Sequence, residues 1–143
     1  MVKVSEVMRR YVVTVRPDIT VAEAAKIMAS NRIGSVIIMQ NSKPVSILTA
    51  DDIVKLVADG ENLNKIKLGK LPKKKLITAS PDEDLVAVTR RMVKAGIKRV
   101  PVVKDGKLVG ILCDKEIMLA EPELLEILSE RLKARVNIRF GEE

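Results

Sequence analysis

The sequence predicts an α/β (α+β) molecule made of two β-α-β-β-α repeats related by a pseudo-twofold axis, with a C-terminal helix after them. Three observations lead there. Residues 14–54 align without a gap on residues 78–118, at an offset of 64 positions. Identical pairs mark the alignment, among them Thr14/Thr78, Pro17/Pro81, Asp18/Asp82, Met28/Met92, Ile47/Ile111, Leu48/Leu112 and Ile53/Ile117. Each copy also runs through strand-like and helix-like patterns in the same order. Two copies are too few for a stacked solenoid, so two like halves facing each other are expected.

Each half begins with a short apolar run, "YVVTV" at 11–15 and "LITA" at 76–79. A proline turn, "RPD" or "SPD", ends that strand. A helix follows: Val21, Ala24, Ala25 and Met28 fall at i, i+3, i+4 and i+7, and Leu85, Val88 and Met92 repeat that apolar face. Two β-rich runs come next, "SVIIM" (35–39) and "PVSIL" (44–48) in the first half, "RVPVV" (99–103) and "LVGIL" (108–112) in the second. The turns between them are "QNSK" and "KDGK"; Asp105-Gly106 suits a two-residue hairpin. A second helix closes each half near 51–58 and 115–119. The resulting division is repeat 1 at 1–62, a Lys-rich linker at 63–75, repeat 2 at 76–120, and a C-terminal helix and tail at 121–143. Pro122 suits a first helical position, and Leu124, Leu128 and Leu132 share a face.

Composition narrows the chemistry. Histidine is absent and Cys113 is the only cysteine. A His/Cys zinc site, an intrachain disulfide and a Ser-His-Asp or Cys-His nucleophile are thereby excluded within one chain. No catalytic residues and no metal are expected. No apolar stretch reaches the roughly 18 residues of a membrane span, and "MVKVSEVMRR" lacks the apolar core of a signal peptide. A cytoplasmic protein without a membrane partner is expected. The formal charge of +7 points to anionic partners. Tyr11 and Phe140 are the only aromatics, too few for base stacking on single strands. The linker run "KIKLGKLPKKK" (65–75) carries six lysines and no acid. It reads either as a patch for phosphate or nucleic acid, or as a solvated charged connector.

The motifs "VMRRYVVTVRPDITVAEAAKIM", "IGSVIIM" and "PVSILTADDI", with their counterparts "LITASPDEDL", "GIKRVPVV" and "LVGILCDKEI", resemble a tandem pair of cystathionine-β-synthase (CBS) domains, a Bateman module. The resemblance covers about residues 1–120, leaving no room there for a catalytic domain, so a stand-alone pair is expected. It implies a non-enzymatic regulatory module that binds AMP, ADP, ATP or S-adenosylmethionine in clefts between the repeats and forms a homodimer through its helices. No cofactor beyond this regulatory ligand is expected.

In the family, the segment matched by "SILTADD" carries the ribose-binding acid, which places Thr49 and Asp52 in that role. Thr-x-x-Asp is also close to a capping box, so helix capping alone is the competing reading. The second copy, "GILCDKE", puts Cys113 for Thr49 and Glu116 for Asp52. Cys113 is a weaker hydrogen-bonding group and Glu116 is longer; Cys113 also reads simply as a small buried residue. The resemblance groups Thr49 and Asp52 with Thr78, Ile97, Lys98, Arg99 and Pro101 as the better site. It groups Cys113 and Glu116 with Thr14, Ile33, Gly34 and Ser35 as a degenerate second one. Lys98 and Arg99 read as phosphate partners or as exposed charge beside a strand. Two other functions compete with the adenosine sensor: a ligand-free scaffold for an unknown regulated protein, and weak nucleic-acid binding through the basic linker.

Overall fold

The structure, a computed structural model, describes residues 1–130. The expected order of elements is present. In the first repeat these are β1 (Thr14–Val15), α1 (Val21–Asn31), β2 (Ser35–Gln40), β3 (Lys43–Thr49) and α2 (Ala50–Ala58). In the second they are α3 (Leu85–Ala95), β4 (Arg99–Lys104), β5 (Lys107–Cys113) and α4 (Asp114–Ala120). β1 lies parallel to β2, and β2 pairs antiparallel with β3. β4 and β5 form the matching hairpin. Asn41-Ser42 and Asp105-Gly106 all have positive φ, as a tight hairpin matched to strand twist requires.

The first strand of the second repeat is the exception. Residues 76–79 form no strand, only a parallel bridge between Ala79 and Val102. In the first repeat the Ile37 N–H donates to Val13 O at 3.2 Å. Position 101, the counterpart of 37, is proline and has no N–H to give, so the ladder loses a rung.

The chain divides into two compact units that do not coincide with the two sequence repeats. One is Val12–Leu76; the other joins Met1–Tyr11 to the chain from Ile77 onward. The reason is a docking segment ahead of each repeat. In the second unit a 3-10 turn at Val4–Glu6 sits before α3: Val4 N–H donates to Glu83 O, Ser5 N–H to Pro81 O, and Leu85 N–H to Val2 O, at 2.8–3.0 Å. In the 12–76 unit a turn at Leu68–Lys70 does the same before α1, with Leu68 to Ile19 O, Gly69 to Pro17 O and Val21 to Ile66 O, each 2.9 Å. Each pair in the second set is the counterpart of one in the first, with the docking residue 64 positions later and its partner 64 positions earlier. The docking also satisfies N–H groups that a helix start leaves without partners.

Each unit has its own core. Val15, Val21, Ala24, Met28, Val36, Ile38, Leu48 and Leu68 are buried together in the 12–76 unit. Val4, Met8, Leu85, Val88, Met92, Val100, Leu112 and Ile117 are among those buried in the other. Thus Leu68, inside the stretch expected to be a linker, is a core residue. Pro122 opens a 3-10 turn at Pro122–Leu124, and the chain is helical over 125–130. Leu124 and Leu128 pack on the second core, while Leu132 lies outside the described residues.

Candidate functional site

The Thr49–Asp52 pair is built by the junction of β3 and α2. Ser35 opposes Thr49 in the sheet register, and Ala50 N–H donates to Gly34 O at 3.0 Å, which pins the helix start to β2. Thr49 caps α2: its hydroxyl oxygen accepts from Asp52 N–H at 3.3 Å. Asp52 reaches back in turn. Its Oδ2 accepts from Thr49 N–H at 2.9 Å and from the Thr49 hydroxyl at 3.0 Å. The capping box is therefore real, and it orients the carboxylate rather than consuming it. The other oxygen, Oδ1, accepts from Lys74 Nζ. Burial pushes the Asp52 carboxyl up. The hydrogen bonds from Lys74 and Thr49, with the Lys74 charge, outweigh that and hold it below its ordinary value.

Asp52 stands on the wall of a cavity of about 580 Å³ that lies wholly within the 12–76 unit. Ile38, Leu48, Leu56, Leu68, Leu71 and Pro72 give the cavity apolar walls. Its charged lining is Asp52, Lys55, Lys73 and Lys74.

In the other unit the chain around Arg9 runs against the corresponding strand. There Arg9 forms an antiparallel bridge with Ile111, with N–H···O distances of 2.8 and 2.9 Å. That approach needs Gly110: a Cβ there would lie 2.8 Å from Arg9 O and 2.7 Å from Met8 Sδ. The counterparts in the 12–76 unit are Ser46 for Gly110 and Pro72 for Met8. Ser46 has the Cβ, Pro72 is the shorter side chain, and among the described residues no bridge joins Lys73 to Ile47. The segment stands off β3, and space opens beside Asp52.

Glu116 differs accordingly. Its Oε1 lies 3.5 Å from Arg9 Nε, and its Oε2 is buried with no hydrogen-bond partner among the described residues. Burial, followed by the Glu116 charge, pushes the Cys113 thiol up to about 12. A thiol so raised is an unreactive one at neutral pH. Arg99 opposes Cys113 across the β4–β5 hairpin, and Asp114 N–H donates to Lys98 O at 3.0 Å. Pro101 opposes Ile111, Thr78 O accepts from Arg91 at 3.1 Å, and Ile97 N–H donates to Met92 O. Thr78, Ile97, Lys98, Arg99 and Pro101 thus share a unit with Cys113 and Glu116, whereas Thr14, Ile33, Gly34 and Ser35 share one with Thr49 and Asp52.

A family model described as the CBS domain matches the chain twice, over residues 4–59 and 68–123. The chain belongs to the CBS-domain family. Both matches begin at the docking turns; the first turn lies inside the expected repeat 1, at 1–62, and the second inside the stretch expected to be a linker, at 63–75. The CBS pair of protein MJ0100, solved in complex with 5′-methylthioadenosine and S-adenosyl-L-methionine, is 31% identical with a TM-score of 0.75, covering 84% of this chain and 95% of that one. The CBS domain protein PAE2072 from Pyrobaculum aerophilum, complexed with AMP, is 26% identical with a TM-score of 0.78, covering 90% and 99%. Protein MJ0653 of Methanocaldococcus jannaschii is 41% identical over 130 residues, which are 90% of this chain and 67% of that protein. The homoserine O-acetyltransferase of Methanosalsum zhilinae is 34% identical over 118 residues, but the match covers only 23% of it. Among the described residues no helix is long and apolar enough to cross a membrane, and no cluster of three or more His, Cys, Asp or Glu is placed to hold a metal.

Lys74 and the cavity wall were not assigned by sequence reasoning. The signal was the lysine run at 73–75, which in the sequence reads more readily as solvated charge.

Proposed function

We propose that this CBS pair is a non-enzymatic regulatory module whose 12–76 unit takes an adenosine-containing ligand, with Asp52 holding the ribose. The observation that carries this reading is an oriented, ionised carboxylate on the wall of an apolar cavity. Such a carboxylate accepts both hydroxyls of a ribose diol, and charge-assisted hydrogen bonds are the stronger kind. The apolar walls suit a purine, and the lysines suit phosphate. AMP bound to PAE2072 and the adenosine derivatives bound to MJ0100 support the ligand class. The counterpart region beside Glu116 is packed by Met8 and Arg9, so one ligand per chain is the expected stoichiometry. The module acts on a regulated protein in the cytoplasm and is itself a homodimer through exposed α2.

Calorimetry of the full chain with AMP, ADP, ATP, adenosine and S-adenosylmethionine tests this. Asp52→Ala should weaken binding by at least about tenfold, the value of a hydrogen-bonded charge. Circular dichroism keeps loss of the cap separate from loss of the site. A folded Asp52→Ala protein that binds every ligand as tightly as the wild type would overturn the assignment.

A further inference from the structure

We infer that Lys74 sets the charge class of the ligand: it is the counter-ion that must leave Asp52 for a ribose to bind, and a phosphorylated ligand is the one that can receive it. This deepens the reading of Asp52 as the ribose-holding acid and rests on it.

The Asp52 carboxylate has its two oxygens engaged by different partners. Oδ2 is fixed by the Thr49 N–H and hydroxyl at 2.9 and 3.0 Å, bonds that belong to the α2 cap. Oδ1 is held by Lys74 Nζ. A ribose diol brings two O–H donors to this carboxylate, and Oδ1 becomes fully available only when Lys74 lets go. The two side chains are unequal in freedom. Asp52 is 15% exposed and locked by its cap, while Lys74 is 56% exposed on a flexible four-carbon stem. The lysine therefore moves and the acid stays.

A released ammonium, already half exposed, goes to water or takes a new anionic partner. Among the described residues Asp52 is the only acid lining the cavity, and besides Lys74 the other charged groups there are Lys55 and Lys73. Those two repel the ammonium, and the wall offers Lys74 no carboxylate besides Asp52. A phosphate on the ligand does offer an anionic partner, and all three lysines then act on it together. A neutral nucleoside separates the Lys74–Asp52 pair without supplying a substitute charge. S-adenosylmethionine brings a sulfonium, a further positive charge among three lysines. Selectivity here comes as much from the cost imposed on the wrong ligand as from contacts to the right one. The order expected is nucleotide over nucleoside, with the sulfonium ligand not above the nucleoside.

The test is calorimetry on the full chain with AMP, adenosine and S-adenosylmethionine, using wild type, Lys74→Ala, Lys74→Gln, Lys75→Ala and Asp52→Ala. Wild type should prefer AMP to adenosine by at least about tenfold, the size of one charge-assisted contact. Lys74→Ala and Lys74→Gln should each lose roughly that factor for AMP, and should bind adenosine equally or more tightly. Lys75, which does not line the cavity, should leave the AMP-to-adenosine ratio unchanged when replaced. An unchanged ratio in both Lys74 variants, with Asp52→Ala still impaired, would overturn the role of Lys74 alone. A wild type that prefers adenosine or S-adenosylmethionine to AMP would do the same. Binding by Asp52→Ala equal to wild type, or no binding of any of the three by wild type, would remove both readings.

Discussion

At the scale of single residues, Asp52 combines three tasks in one carboxylate: it completes a helix cap, pairs with Lys74 and faces a cavity. The sign of its proton linkage follows. Its folded pKa lies below the ordinary value of 3.8, so the unfolded chain binds the proton more readily. The stabilisation is complete above the ordinary carboxylate range and is lost as pH falls through the folded value. Glu83, held down chiefly by its hydrogen bond from Arg91, acts in the same direction. Urea midpoints measured from about pH 6 to about pH 3 should therefore fall, and fall less in Asp52→Asn than in wild type. An equal fall in both would show that Asp52 carries no such linkage. The pairing of Thr49 with Asp52 was legible in the sequence, because a capping box is a local device with fixed spacing. That the cap leaves one oxygen for another partner was not legible, since Lys74 reaches Asp52 across the fold from 22 residues away.

At the scale of elements, strands and helices followed the repeat closely, because period-2 and period-3.6 patterns survive substitution of one apolar residue by another. Two features escaped. Proline at 101 shortened a strand through a missing N–H, a loss visible only once its parallel neighbour is known. The docking turns at Val4–Glu6 and Leu68–Lys70 were hidden by their composition. "VKVSEVM" and "IKLGKLP" share only one identical position, and the lysines of the second made it look like a connector. The structural difference between the units also sits here, in Gly110 and Met8 against Ser46 and Pro72. Gly110→Ala places a methyl group against Met8 Sδ and the Arg9 carbonyl. It should cost about 1–3 kcal/mol, the usual range for overpacking, read as a lower urea midpoint. Ser46→Ala adds no such atom and should stay within about 0.5 kcal/mol. Equal midpoints for the two variants would show that the close approach at Gly110 carries no strain.

At the scale of the whole molecule, α2 buries no residue fully and leaves Val54 and Val57 65% and 59% exposed. A chain of charge +7 disfavours self-association by electrostatics alone, so an apolar face on a short helix is the feature that would offset it. Sedimentation should show a dimer for wild type and a monomer for Val54→Lys/Val57→Lys; a monomeric wild type would discard this interface. Self-similarity in the sequence revealed two copies of one plan but not where each copy folds, because the folding units are out of phase with the repeats. That phase shift has a consequence for how the gene can be rearranged. The 12–76 unit is one uninterrupted stretch, with its docking turn after its second helix. The other unit holds the same parts in the same cyclic order but starts at its docking turn, so that it is a circular permutant of its sibling. Cutting the chain after residue 62 strips Leu68 from one core and leaves Val4 without the other, whereas excising 12–76 and joining residue 11 to residue 77 keeps each core with all its residues.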